Sequence, residues 1–204
     1  MKRCSVILIA GGLLAGCVNM SAPSQQTAGT FQTQPTEQRQ AKLETIKSWN
    51  ASGAISVQQA NQTPMIMRYD WHQYGPNSYR VDLAASLNLA AVTITGGPNR
   101  VTLQKGNEAP ISAATPEQLM QKNLGWSLPI PSLWYWARGL PAPGGNQGVQ
   151  YDHYGHMTSL NQNGWRVTLG NYQTVQGVDL PGVIELNRAH ISAKIVVKNW
   201  QINH

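Results

Sequence analysis

Three places in this sequence hold residue types able to do chemistry: a thiol at Cys17, the turn Gly125-Trp126-Ser127, and Asp152-His153 followed by His156. The serine stretch has the beginning of a nucleophile elbow, which strains a serine between two glycines, but Pro129 stands where the second glycine belongs. A turn ahead of a helix is the better reading. The two histidines are three apart in a strand-like or loop stretch, where such positions face opposite sides. No third ligand stands near them, so they read as surface or packing histidines. The nine carboxylates are dispersed, which leaves no acid/base pair to name, and no Gly-rich phosphate loop occurs. We expect no catalytic residue, no metal site and no cofactor, hence no enzyme.

Cys17 is different because of what precedes it. Lys2 and Arg3 open the chain, a short apolar run follows from Val6 to Ala15, and polarity returns at Asn19. This is the charged start and hydrophobic stretch of a signal peptide, and it falls short of the roughly 20 apolar residues that span a bilayer. Leu14-Ala15-Gly16-Cys17 resembles the lipobox of bacterial lipoproteins, where cleavage falls just before the cysteine and the cysteine is acylated. The alternative, an ordinary secretory signal, matches its small-x-small cleavage pattern less well. The resemblance implies a signal peptide at 1–16, lipid on Cys17, and a membrane as the first partner. Cys4 leaves with the signal, so no disulfide and no cysteine-based metal cluster can form in the mature chain. Acyl chains, about two being enough for stable anchoring, would occupy the remaining thiol. Val18 follows instead of an Asp, which by the enteric sorting rule implies the outer membrane.

Removing Lys2 and Arg3 takes the 15 basic residues to 13 against 9 acidic ones. Lys and Arg are scattered without a run, so no nucleic acid is expected as a partner. Asn19–Gln40 is rich in Ser, Thr, Gln, Pro and Ala and cannot bury enough apolar surface to order itself. We expect 17–48 to be a lipidated tether ending in a short helix over Ala41–Ser48, and 49–204 to be one domain. From Trp49 the apolar period is two. Ile55 and Val57, then Met65, Met67, Tyr69 and Trp71, then Tyr79, Val81 and Leu83 alternate with wetter residues. Further strands are expected over Ala90–Thr95, Val101–Leu103, Trp165–Leu169, Val183–Leu186 and Ile191–Val197. Such alternation marks antiparallel strands with one apolar face. Thr115-Pro116-Glu117-Gln118 is a helix start, with an end near Gly125. A second helix runs through Leu133-Trp134-Tyr135-Trp136 and closes at Gly139. The fold class is therefore mainly β with inserted helices, and about 155 residues suffice for a sizeable core.

Met65, Met67, Tyr69 and Trp71 share one strand face, which is either a core under the helices or the wall of an apolar cavity. Met suits surfaces that receive varied apolar partners. Ala84-Ala85-Ser86-Leu87-Asn88-Leu89 joins two strands and carries Leu87 where turns usually carry polar residues. An apolar tip there would press into lipid or an acyl chain.

Ordered motifs then carry a family resemblance. They are Ser52-Gly53, Tyr69-Asp70-Trp71, Tyr79-Arg80-Val81, the block from Leu128-Pro-Ile-Pro to Arg138-Gly-Leu-Pro141, Asn163-Gly-Trp to Gly170-Asn-Tyr172, Leu180-Pro181, and Ile195 to Trp200. From Trp49 to Trp200 the chain resembles the LolB family, the outer-membrane lipoprotein receptors of the lipoprotein localisation pathway. The resemblance implies a half-open antiparallel β-barrel covered by α-helices around an apolar cavity. It also implies a monomer facing the periplasm, with a LolA-like periplasmic carrier and acylated lipoprotein cargo as partners. By alternation parity, Met65, Met67, Tyr69, Trp71, Val81, Leu83, Val167, Leu169, Ile195 and Val197 are expected to face that cavity. The family's protruding leucine, needed for inserting cargo into membrane, matches Leu87, although its usual Asn-Pro-Leu-Gly setting is absent from Ser86-Leu87-Asn88. A non-catalytic scaffold that binds proteins is the alternative, and it predicts a filled core with no affinity for acyl chains.

Overall fold

The computed structural model describes residues 31–85 and 91–203, so the signal segment, Cys17 and Leu87 lie outside the described residues. The alternating apolar residues build long strands first. β1 (Ser48–Gln59), β2 (Met65–Gly75) and β3 (Ser78–Ala85) form a meander continued by β4 (Val92–Gly96), β5 (Val101–Lys105) and β6 (Ile111–Ala113). Two helices follow, α2 (Pro116–Leu124) and α3 (Ile130–Trp136), after a first helix α1 (Thr36–Glu44) that precedes the sheet. β7 (Asn146–Tyr151), β8 (Met157–Gln162), β9 (Trp165–Gly170), β12 (Val183–Arg188) and β13 (Ile191–Asn203) complete the sheet. β10 (Gln173–Val175) and β11 (Val178–Leu180) form a separate hairpin.

The eleven strands lie in the order β6-β5-β4-β3-β2-β1-β13-β12-β9-β8-β7, so among the described residues neither edge strand is paired on its outer side and the barrel is half open. One face is predominantly apolar. Cross-strand partners Ile94, Val81, Trp71 and Ala51 form one continuous buried row. Two steps along the same face, Met67, Ile55, Ile195, Ile184 and Leu169 form another.

The seam between β1 and β13 carries a bulge. Ser52 pairs with Asn199 but Gly53 pairs with Val197, leaving Lys198 as the extra residue. An extra residue reverses which parity faces inward. Accordingly Ala193, Ile195 and Val197 are buried before it, and Ile202 after it. Gly53 is required at this place, because a Cβ there would collide with the Val196 carbonyl.

The helices follow their local signals. Thr115 Oγ1 accepts from the Gln118 N–H at 3.3 Å, Pro116 occupies the first turn, and Gly125 ends α2 in the left-handed conformation at φ 77°. The lead-in helix requires a correction: it spans Thr36–Glu44 rather than Ala41–Ser48, and Ser48 already belongs to β1. Its position is set by tertiary partners. Arg39 and Leu43, one turn apart, are both buried against the domain.

Candidate functional site

β2 and β3 supply most of one wall of an apolar recess: Tyr69 opposite Leu83, and Trp71 opposite Val81. Ile55, Ile94 and Ile195 extend that wall to neighbouring strands. The opposite wall comes from the helical segment, through Met120, Trp126, Leu128, Ile130 and Leu133. The polar atoms of the sheet wall are occupied elsewhere. The Trp71 indole N–H donates to Gln73 Oε1 at 2.7 Å, and the Tyr69 hydroxyl points at the Val196 carbonyl, 3.5 Å away. Burial pushes the Tyr69 phenol upward, with the Asp70 charge adding to it, so it stays neutral.

The recess is small, about 40 Å³. Beside it lies a second hollow of about 290 Å³, which shares Leu83 and Trp126 with the first. Met65, Met67, Ala85 and Val92 line this outer hollow, with Lys105 at its border. Ala85 and Val92, the end of β3 and the start of β4, thus belong to this hollow, the mouth; residues 86–90 between them lie outside the described residues.

Of the ten residues read from alternation, Tyr69, Trp71, Val81, Leu83 and Ile195 line the inner recess, and Met65, Met67 and Leu83 line the mouth. Val167, Leu169 and Val197 are buried on the same face but border neither hollow. Met65 is 36% exposed where β2 begins. The roof residues Met120, Trp126, Leu128, Ile130 and Leu133 lie outside the strands that alternation marks. Their signal was the apolar spacing within Leu119-Met120 and Leu128-Pro-Ile-Pro-Ser-Leu133.

Two buried arginines hold the lead-in segment against this body. Arg138, just beyond α3, lies 4.1 Å over the Trp134 ring and donates to the carbonyls of Ile46 at 2.7 Å and Leu43 at 3.3 Å. Burial pulls its guanidinium down to about 10, so it remains charged at neutral pH. Arg39 in α1 donates to Asp179 and to the Tyr154 carbonyl.

His153 and His156 do separate, as their spacing predicts. His153 is exposed, whereas His156 is 1% exposed. His156 Nδ1 lies 2.9 Å from Asp152 Oδ2 and Nε2 lies 3.2 Å from Asp179 Oδ2, while the ring stacks on Tyr172 at 4.2 Å. Burial pushes the Asp179 carboxyl up, but hydrogen bonds from Thr174, His156 and Arg39 outweigh it and hold the group below the usual carboxylate range. Among the described residues no group of three or more His, Cys, Asp or Glu is placed to hold a metal ion. The cluster joins α1 to the β10–β11 hairpin and the turn before β8, at a distance from the recess in the fold's order.

An unclosed antiparallel sheet with short helices laid over its apolar face is the architecture of the LolA and LolB class of lipoprotein-sorting proteins. A LolA superfamily protein from Nitrosomonas europaea shares it with a TM-score of 0.54 at 11% identity, over 84% of this chain and 95% of that one. A putative outer membrane lipoprotein-sorting protein domain from Vibrio parahaemolyticus gives 0.50 at 10% identity, over 82% and 90%. Within this class the chain belongs to the LolB family, whose model, "Outer membrane lipoprotein LolB", matches residues 47–200. It is 42% identical to the outer-membrane lipoprotein LolB of Coxiella burnetii strain RSA 493, covering 98% of this chain and 94% of that protein. It is 35% identical to that of Nitrosococcus oceani over 99% of this chain.

Proposed function

We propose that this lipid-anchored outer-membrane protein receives acylated lipoproteins from a periplasmic LolA-like carrier. It shelters their acyl chains between the sheet and the helices, and releases them into the inner leaflet. The observation that carries the reading is a recess walled by apolar side chains whose mouth is lined by Ala85 and Val92, the strand ends between which Leu87 lies in sequence. Each buried CH₂ contributes about 0.8 kcal/mol, so acyl chains cross an aqueous compartment only under cover. A recess of about 40 Å³ has to widen as a chain enters, by separation of α2 and α3 from β1–β4. No nucleotide-binding motif supplies energy, so direction comes from tighter binding in the acceptor than in the carrier. Release follows when Leu87, outside the described residues, engages the bilayer.

The test mixes residues 18–204 with carrier loaded with a triacylated lipoprotein, in the absence of membrane. Cargo moving to this domain, and failing to move when unacylated, supports the reading. No movement to a folded domain, with another acceptor working in parallel, overturns it in favour of a scaffold.

A further inference from the structure

A second concavity lies on the other face of the sheet and is polar where the recess is apolar. Cross-strand pairing aligns Gln147, Asn161, Arg166, Asn187, Ser192 and Gln58 in one row over β7, β8, β9, β12, β13 and β1. With the turns at Asn163-Gly164 and Ala189-His190, this row lines a groove of about 1180 Å³. Arg166, Arg188 and His190 border it, and no Asp or Glu does. The carboxylate two residues along, Glu185, is already paired with Lys194 at 2.8 Å. Arg166 and Arg188 are exposed and make no ion pair among the described residues; Arg188 rests 5.7 Å over the Trp165 ring.

The groove's position gives the charge a meaning. Val57 pairs with Met65 at the mouth, and the next residue, Gln58, pairs with Ser192 in the groove. Groove and mouth therefore sit at the same end of the sheet, separated by the β1–β2 turn. A surface lying across this end of the sheet would meet both the mouth and this basic, amide-rich rim.

We propose that the groove docks phosphodiester headgroups of an anionic phospholipid surface, with Arg166 and Arg188 as the phosphate ligands and the Asn and Gln row as auxiliary donors. Guanidinium groups match phosphate oxygens in bidentate geometry, and basic residues near an anionic leaflet add attraction that fades within a Debye length. The contact holds the mouth against the bilayer while cargo leaves. In that respect the proposal rests on the acceptor reading.

The experiment uses the mature chain with Cys17→Ser, so that no lipid anchor contributes. Its binding to phosphatidylethanolamine vesicles is compared with and without phosphatidylglycerol. Preference for the anionic vesicles is expected, and Arg166→Ala with Arg188→Ala lowers that partition coefficient by about 30-fold. Arg100→Ala with Lys198→Ala removes the same charge away from this rim and leaves most of the preference. Cargo acceptance from carrier in solution is measured on the same variants and stays unchanged. Equal binding to both vesicles, or equal losses in the two double variants, overturns the headgroup dock without touching the acceptor reading. Loss of cargo acceptance with vesicle binding intact also overturns it and assigns the groove to the carrier.

Discussion

The Arg39 guanidinium lies 3.0 Å from the Asp179 carboxylate across 140 positions of sequence, with both side chains largely buried. The pair belongs to a chain of groups continuing through His156 to Asp152, and it fastens α1 to the hairpin after β9. Removing one partner of a buried pair leaves an uncompensated charge, which typically costs about 3–5 kcal/mol.

The same cluster sets an acid dependence. Asp152 and Asp179 are both held below the usual carboxylate range: burial raises each, and hydrogen bonds to their neighbours outweigh it. Depressed carboxylates stabilise the fold above their unfolded value of about 3.9, and that stability is lost as pH falls through the lower folded values. Denaturant midpoints should therefore drop steeply below pH 4. Asp179→Asn should begin less stable at pH 7 and show a flatter decline, and a decline as steep as that of the unchanged protein would refute this account.

Gly53→Ala tests the seam. The added Cβ meets the Val196 carbonyl at the bulge, and β1 and β13 must separate locally to admit it. A loss of about 2–3 kcal/mol, or roughly 5–10 °C in Tm, is expected. Thermal melts of the two proteins measure it.

Leu83 borders both hollows. Leu83→Phe narrows the passage between them, at a stability cost of about 1–3 kcal/mol for overpacking. The variant should stay folded and accept less acylated cargo. Acceptance equal to that of the unchanged protein would show that chains enter by another route.

Leu87→Glu should leave acceptance intact while slowing delivery into vesicles, because an ionised side chain resists entry into lipid. Release at the normal rate would remove Leu87 from the mechanism.

How far the sequence carries depends on the range of the interactions involved. Parity along Met67-Tyr69-Trp71 and Tyr79-Val81-Leu83 predicts the buried face because one pattern repeats within one strand. It stops short of Ile202 because the reversal at Lys198 arises from the approach of Gly53 to Val196, which only the paired strands reveal. The short strands β6, β10 and β11 have too few residues to show a period. α1 starts at Thr36 because Arg39 finds Asp179, a partner with no local trace. His156 reads as a packing residue until Asp179, 23 positions on, is seen beside it. The helices over the sheet are legible from their caps, but which of their side chains roof the recess depends on how they lie across it.

The placement of β1 beside β13 also bears on biogenesis. As the chain emerges from synthesis, β1 carries an unpaired edge until Ile191–Asn203 arrives to fill the gap between β1 and β12. Pairings between distant segments form slowly, and open strand edges invite aggregation. Until synthesis is nearly complete the two halves of the sheet have no strand to join them. Their apolar faces stay unsealed in that interval, which is when the chain is most open to aggregation.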